Sequence, residues 1–221
     1  MEELLKTDNV FLFIPNLIGY ARIGASLLAC LTMRYTHTVT LFLYFVSAIL
    51  DAADGHAARA LNQSTKFGAM LDQLVDRCAT LTLLICLANF YPGQTIFFQI
   101  AAVIDISCHW IHLHATVMKG RSSHKDSDSN ENPLLKLYYT NKTVLFFMCA
   151  GNETFYMLCY AYHFTSGPSW IFPGGVIPVF IFLLLPVAIM KLVLAVLQGL
   201  AAARTLASID VEDRAKVEKV K

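Results

Sequence analysis

Four carboxylates, Asp51, Asp54, Asp72 and Asp76, stand at regular intervals in a chain that is otherwise mostly hydrocarbon. Oxygen donors gathered in this number suit a hard divalent cation such as Mg²⁺ or Mn²⁺, because four carboxylates in a low-dielectric cleft cannot all ionise without positive charge among them. Two such ions could clamp a diphosphate and stabilise both the attacking and the leaving oxygens of an in-line displacement. Gly55 and Gly68 lie among the aspartates, and Arg59 follows one turn after Gly55. The stretch therefore offers room for a phosphate and a planar fork to hold it.

This chemistry needs two helices facing each other. Asp51 and Asp54 are three residues apart, with Gly55 and Ala58 on the same face, and Gly68, Asp72 and Asp76 are spaced by four. The short polar break from Asn62 to Thr65 folds these two faces together as an antiparallel hairpin. At a rise of about 1.5 Å per residue, Asp72 lies about 9 Å and Asp51 about 15 Å from the hairpin end, so the cluster sits in a shallow cavity open to that side.

The medium around the hairpin follows from composition. A chain of 221 residues that is 56% apolar and 15% charged, with mean hydropathy +0.54, has too little polar surface for an ordinary soluble domain. About twenty apolar residues cross a bilayer as helix, and six runs qualify, near 16–34, 38–61, 66–90, 94–118, 138–163 and 174–203. The expected fold is all-α: a polytopic integral membrane protein with six transmembrane helices, preceded by a short interfacial amphipathic helix over residues 1–15. It is expected to form a single domain over residues 1–221, with a bundle over 16–203 and a charged tail over 204–221 that continues as solvated helix. The first residues lack the basic start and cleavage site of a signal peptide, so the first run is expected to remain in the mature protein. The six cysteines lack metal-ligand spacing and read as small buried hydrophobes.

Basic residues orient the bundle. All but Arg22, Arg34, Arg77 and Lys191 of the seventeen Lys and Arg fall in the even-numbered connections or near the two termini. The positive-inside rule then places both termini and the carboxylate cavity on the cytosolic side.

Other polar residues inside the spans have competing readings. Asn16 and Arg22 on the first helix could read a cytidine or a diphosphate, or simply bond between helices. Asp105, His109 and His112 recur at helical spacing and could be drawn as a metal triad, but a histidine-rich transition-metal site has no place in this chemistry. Lining an acceptor cavity or satisfying one another suits them better. Asn152 and Glu153 share that ambiguity. Lys191, deep in the last run, could meet the acceptor or neutralise the aspartates, and it is expected to balance their charge. The plain alternative for the whole cluster is ion pairing with Arg59, Arg77 or Lys191, although intramembrane carboxylates are costly and usually functional. A divalent-cation carrier would instead show midplane carboxylates on discontinuous helices in repeated halves, and no such repeat is visible.

The spacing Asp-x2-Asp-Gly-x2-Ala-Arg-x8-Gly-x3-Asp-x3-Asp over residues 51–76 is identified as the signature of the CDP-alcohol phosphatidyltransferases, with all eight fixed letters present. Residues 13–22, 50–77, 109–114 and 149–153 further resemble the eukaryotic members of that family that take inositol. The resemblance implies transfer of a phosphatidyl group from CDP-diacylglycerol to myo-inositol with release of CMP, in the endoplasmic reticulum membrane, by a homodimer that has no nucleic-acid partner. Asp51, Asp54, Asp72 and Asp76 then look like ligands for Mg²⁺ or Mn²⁺, Gly55, Arg59 and Thr65 like contacts for the CDP-lipid, and Asp76 like the general base. A family member with another acceptor, such as glycerol 3-phosphate or an aminoalcohol, would carry the same signature.

Overall fold

The computed structural model of the chain describes residues 9–120 and 132–220, and among them it is helical with no strand. Seven α-helices follow in order: α1 (Ile14–Thr32), α2 (His37–Ala60), α3 (Lys66–Phe90), α4 (Thr95–Lys119), α5 (Pro133–Thr140), α6 (Lys142–Phe164) and α7 (Val176–Val220). Most of the interfacial helix expected over residues 1–15 falls outside the described residues. The part that is described is a 3-10 turn over Val10–Leu12 capped by the Asn9 side chain, followed by the start of α1, where Pro15 occupies a first-turn position that needs no amide donor.

Five helical stretches are long and apolar enough to cross a membrane: Ile14–Thr32, His37–Ala60, Pro92–Lys119, Lys142–Phe164 and Val176–Glu218. The protein is thus a multi-pass membrane protein. The remaining long helix, α3, has 25 residues but carries Lys66, Asp72, Asp76 and Arg77, which lowers its hydropathy. The helix richest in candidate site residues is the one that composition recognises least.

The run expected over 138–163 is divided. Asn141 adopts an extended conformation, and its side chain accepts from the Thr143 and Val144 amides, so it closes α5 and caps α6. Apolar periodicity does not register a cap of this kind, which is why one span was expected where two helices form. The last run starts at Val176 rather than 174 because Gly174 and Gly175 take positive φ. An added Cβ at Gly175 would strike the Ser166 carbonyl, and the Ile177 amide bonds to that same carbonyl. From there α7 continues to Val220, through most of the residues assigned to the tail.

α1 packs along α2, α7 lies against α4 and α6, and α3 fills the space between α1, α4 and α6. An apolar core of Met33, Leu84, Leu87, Phe98, Phe155, Tyr156 and Tyr160 fills the half of the bundle away from the α2–α3 turn. Tyr160 donates to the Met33 carbonyl at 2.8 Å and Tyr91 to the Cys159 carbonyl at 2.8 Å, so both hydroxyls are satisfied by backbone groups. The opposite half is left to the polar residues.

Candidate functional site

The α2–α3 turn fixes the hairpin. Asn62 takes φ 54°, the Gln63 amide bonds to the Ala58 carbonyl and the Asn62 amide to the Arg59 carbonyl, the two bonds of a Schellman ending. Thr65 then starts α3, its hydroxyl accepting from the Gly68 amide at 3.0 Å. With the turn fixed, the aspartate faces of α2 and α3 meet. Carboxylate oxygens of Asp51, Asp72 and Asp76 lie within 4.8 Å of one another, a set able to hold a metal ion. Asp54 stands beside them and is nearly buried.

What holds the four together is Arg22 of α1. Its Nη1 donates to Asp54 at 2.8 Å and to Asp72 at 2.7 Å, and its Nη2 meets Asp51 at 2.6 Å and also Asp76. The Arg22 side chain is only 2% exposed, whereas Asp51, Asp72 and Asp76 are 44%, 47% and 30% exposed. The guanidinium therefore lies on the closed side of the cluster and the carboxylates line its open side. This corrects the expected source of charge balance, because Lys191 is directed elsewhere: its ammonium donates to the Tyr138 hydroxyl and to Cys149 Sγ at 3.3 Å. Arg77 binds Asp105 at 2.6 Å, with Nη2 3.7 Å from Asp76, and Arg59 forms no ion pair among the described residues.

α1 can approach this closely because its inward face is small and polar. Pro15, Asn16, Gly19, Arg22, Ala25 and Ala29 are its buried residues. A Cβ at Gly19 would fall 2.9 Å from Leu71 Cδ2, and one at Gly68 would fall 2.8 Å from Asn16 Oδ1. Gly68 thus makes room for Asn16 of a neighbouring helix, in addition to bordering the cavity. Asn16 in turn donates to the Val10 carbonyl, tying α1 to the 3-10 turn before it.

Beside the aspartates a cavity of about 200 Å³ opens at the α2–α3 turn, lined by Asn16, Asp54, Gly55, Arg59, Gln63, Thr65, Gly68 and Asp72 among others. All three residues expected to touch the CDP-lipid, Gly55, Arg59 and Thr65, are in this lining. The Arg59 guanidinium crosses the face of Gly55, where an added Cβ would sit 3.5 Å from Nη1. Gln63 and Ser64 also line the cavity, and Gln63 Oε1 accepts from the Ile14 amide at 3.0 Å, tying the turn to the start of α1. Sequence reasoning passed over Gln63 because an amide in a turn is unremarkable until its partner from α1 is known.

The structure does not bring His109 or His112 to this cavity. His109 Nδ1 lies 2.7 Å from the Asp105 carbonyl one turn back, and His112 stacks on Tyr139 of α5. Asp105, Asn152 and Lys191 instead line a separate void of about 10 Å³ with Thr80 and Tyr156, room for a single water. Asn152 Oδ1 is buried there without a partner.

Comparison with known proteins adds an independent observation. The family model described as CDP-alcohol phosphatidyltransferase matches residues 12–166. A protein of Homo sapiens named CDP-diacylglycerol–inositol 3-phosphatidyltransferase is 48% identical over 212 residues, covering 96% of this chain and 99% of its own length. Its namesake in Drosophila melanogaster is 48% identical over 211 residues, covering 96% of this chain and 92% of its own, and that of Saccharomyces cerevisiae is 39% identical over 168 residues, 76% of each chain. No solved structure matches the chain.

Proposed function

The chain belongs to the CDP-alcohol phosphatidyltransferase family, and from that premise we propose that it transfers the phosphatidyl group of CDP-diacylglycerol to myo-inositol, giving phosphatidylinositol and CMP. The observation that carries this reading is the convergence of four aspartates from α2 and α3 beside a cavity that Arg59 overlooks. The relatives that span nearly the whole chain and bear the inositol transferase name supply the acceptor.

In this reading Asp51, Asp54, Asp72 and Asp76 hold the divalent cations, and their all-oxygen donor set fits Mg²⁺ or Mn²⁺. Bound there, such ions would supply positive charge to the diphosphate oxygens. Gly55 leaves the cavity floor open, Arg59 offers its fork to the diphosphate, and the Thr65 hydroxyl, already accepting from the Gly68 amide, has its proton free for the CDP-lipid. Asp76 serves as general base. One of its oxygens is taken by Arg22 and the other is turned toward Arg77, away from Arg22. An inositol hydroxyl arriving on that side passes its proton to Asp76 while its oxygen attacks the lipid-side phosphorus, and the oxygen of CMP departs with the bonding pair. Most of the acceleration is then positioning and charge stabilisation.

The same reading includes placement in the endoplasmic reticulum membrane with both termini and the cavity facing the cytosol. The basic residues gathered at that end of the helices support it. It also includes pairing of two copies, as the family resemblance implies, which native mass spectrometry of the protein in lipid nanodiscs would test.

Incubating purified protein with CDP-diacylglycerol and Mn²⁺ or Mg²⁺, with acceptors supplied one at a time, is expected to release CMP with myo-inositol and not with glycerol 3-phosphate or an aminoalcohol. Release with glycerol 3-phosphate alone would refute the acceptor and leave the family intact.

A further inference from the structure

Arg22 contacts the four aspartates in a way that assigns it a role. A guanidinium presents two Nη nitrogens, and here each meets two carboxylates: Nη1 donates to Asp54 and Asp72, and Nη2 donates to Asp76 and forms an ion pair with Asp51. Each nitrogen therefore joins one aspartate of α2 to one of α3. The Nε proton is left buried and without a partner. No other side chain could do this, since a lysine presents one nitrogen with three protons and cannot span both pairs.

Arg22 also takes only one oxygen from each carboxylate, Oδ1 of Asp51, Asp72 and Asp76 and Oδ2 of Asp54. Of the other four oxygens, Asp76 Oδ2 is turned toward Arg77, and those of Asp51, Asp54 and Asp72 are not bound to Arg22. Because the arginine is enclosed and Asp51, Asp72 and Asp76 are partly exposed, a cation arriving on their exposed side does not have to pass the guanidinium.

We propose that Arg22 is a permanent counter-charge beneath the metal site, a positioning residue that keeps the four aspartates assembled and stays bonded to them when the cations are in place. The proposal rests on the reading of these aspartates as cation ligands. Arg22 cancels one of four negative charges, so two divalent cations leave the site with one net positive charge toward an incoming diphosphate. Without the arginine, the same two cations would only neutralise it.

The decisive measurement is NMR of arginine-¹⁵N-labelled protein in detergent, with the Arg22 resonance identified by its loss in Arg22→Lys. The expected result is a set of Nη protons protected from solvent exchange both without metal and with saturating Mg²⁺, and broadened away when Mn²⁺ replaces Mg²⁺. Loss of that protection on adding Mg²⁺, in protein whose Mn²⁺ electron paramagnetic resonance shows the ion bound, would overturn the proposal alone. Absence of any bound Mn²⁺ would overturn it together with the reading beneath it. Thermal unfolding of Arg22→Gln gives a second test, in which the loss of stability is expected to be larger in metal-free buffer than with Mg²⁺. An equal loss in both buffers would mean a structural anchor only, and Mn²⁺ binding at least tenfold tighter with unchanged stability would mean competition. Either result sinks the proposal, and if the variant does not fold in either buffer the labelled wild-type protein decides.

Discussion

Purified Asp76→Asn protein is expected to bind CDP-diacylglycerol and to release CMP at least about 1,000-fold more slowly than the wild type, a loss in the range that removal of a general base produces. The amide keeps the shape of the carboxylate and can still accept from Arg22, so the assembly of α1, α2 and α3 should survive the change. What disappears is the negative oxygen that faces Arg77 and takes the acceptor's proton. The substitution also removes one of the three carboxylates that lie within 4.8 Å of one another, which adds to the loss. Binding is read as the rise in unfolding temperature on adding CDP-diacylglycerol, and chemistry as CMP released with myo-inositol. Wild-type-like turnover would dispose of Asp76 as the base, whereas loss of both binding and turnover would place it in substrate binding instead.

Arg59→Ala separates binding from chemistry in the opposite sense. Arg59 lines the cavity across the face of Gly55 and forms no ion pair among the described residues, so its fork is available for a diphosphate. A charge-assisted bidentate contact of this kind contributes on the order of 2–3 kcal/mol, which corresponds to a rise of roughly 30- to 150-fold in KM for CDP-diacylglycerol. Since the arginine touches none of the four aspartates, kcat at saturating lipid should change much less. Arg59→Lys should recover only part of the loss, because an ammonium cannot match two phosphate oxygens at once. A variant with unchanged KM and reduced kcat would move Arg59 from ground-state binding to the transition state.

The hairpin was legible because its information is local. Spacings of three and four set Asp51 with Asp54 and Gly68 with Asp72 and Asp76, and Asn62 to Thr65 marks the turn, so α3 falls on the residues expected for it. The partner of the aspartates was not legible, because pairing between α1 and the hairpin is a tertiary fact. Arg22, Arg77 and Lys191 are equivalent as isolated charges in apolar runs, and only packing distinguishes the one that reaches the cluster from those held by Asp105 and Tyr138. A signal was present in the three-residue spacing of Asn16, Gly19 and Arg22, which sets a small residue between two polar ones on one face of α1. The break at Asn141 escaped for a different reason. A cap exchanges one set of backbone bonds for a side-chain bond and leaves hydropathy nearly unchanged.

The placement of one charge on α1 and its opposites on α2 and α3 bears on how the chain reaches the membrane. A lone aspartate or arginine at the centre of a helix costs about 2.5 to 3.5 kcal/mol on entering lipid from the insertion machinery. Entering singly, α1 would carry an unmatched cation and α2 two unmatched anions, and only when α3 has followed do all four carboxylates share the guanidinium. We infer that α1 to α3 leave the aqueous path as a group rather than in turn. In cell-free synthesis with microsomes, chains halted after α2 should therefore stay extractable by alkali, and chains carried through α4 should not. Firm integration of the shorter chains would show that biogenesis proceeds helix by helix. If they integrate late, the residues that read as catalytic machinery also act as the assembly code of the bundle.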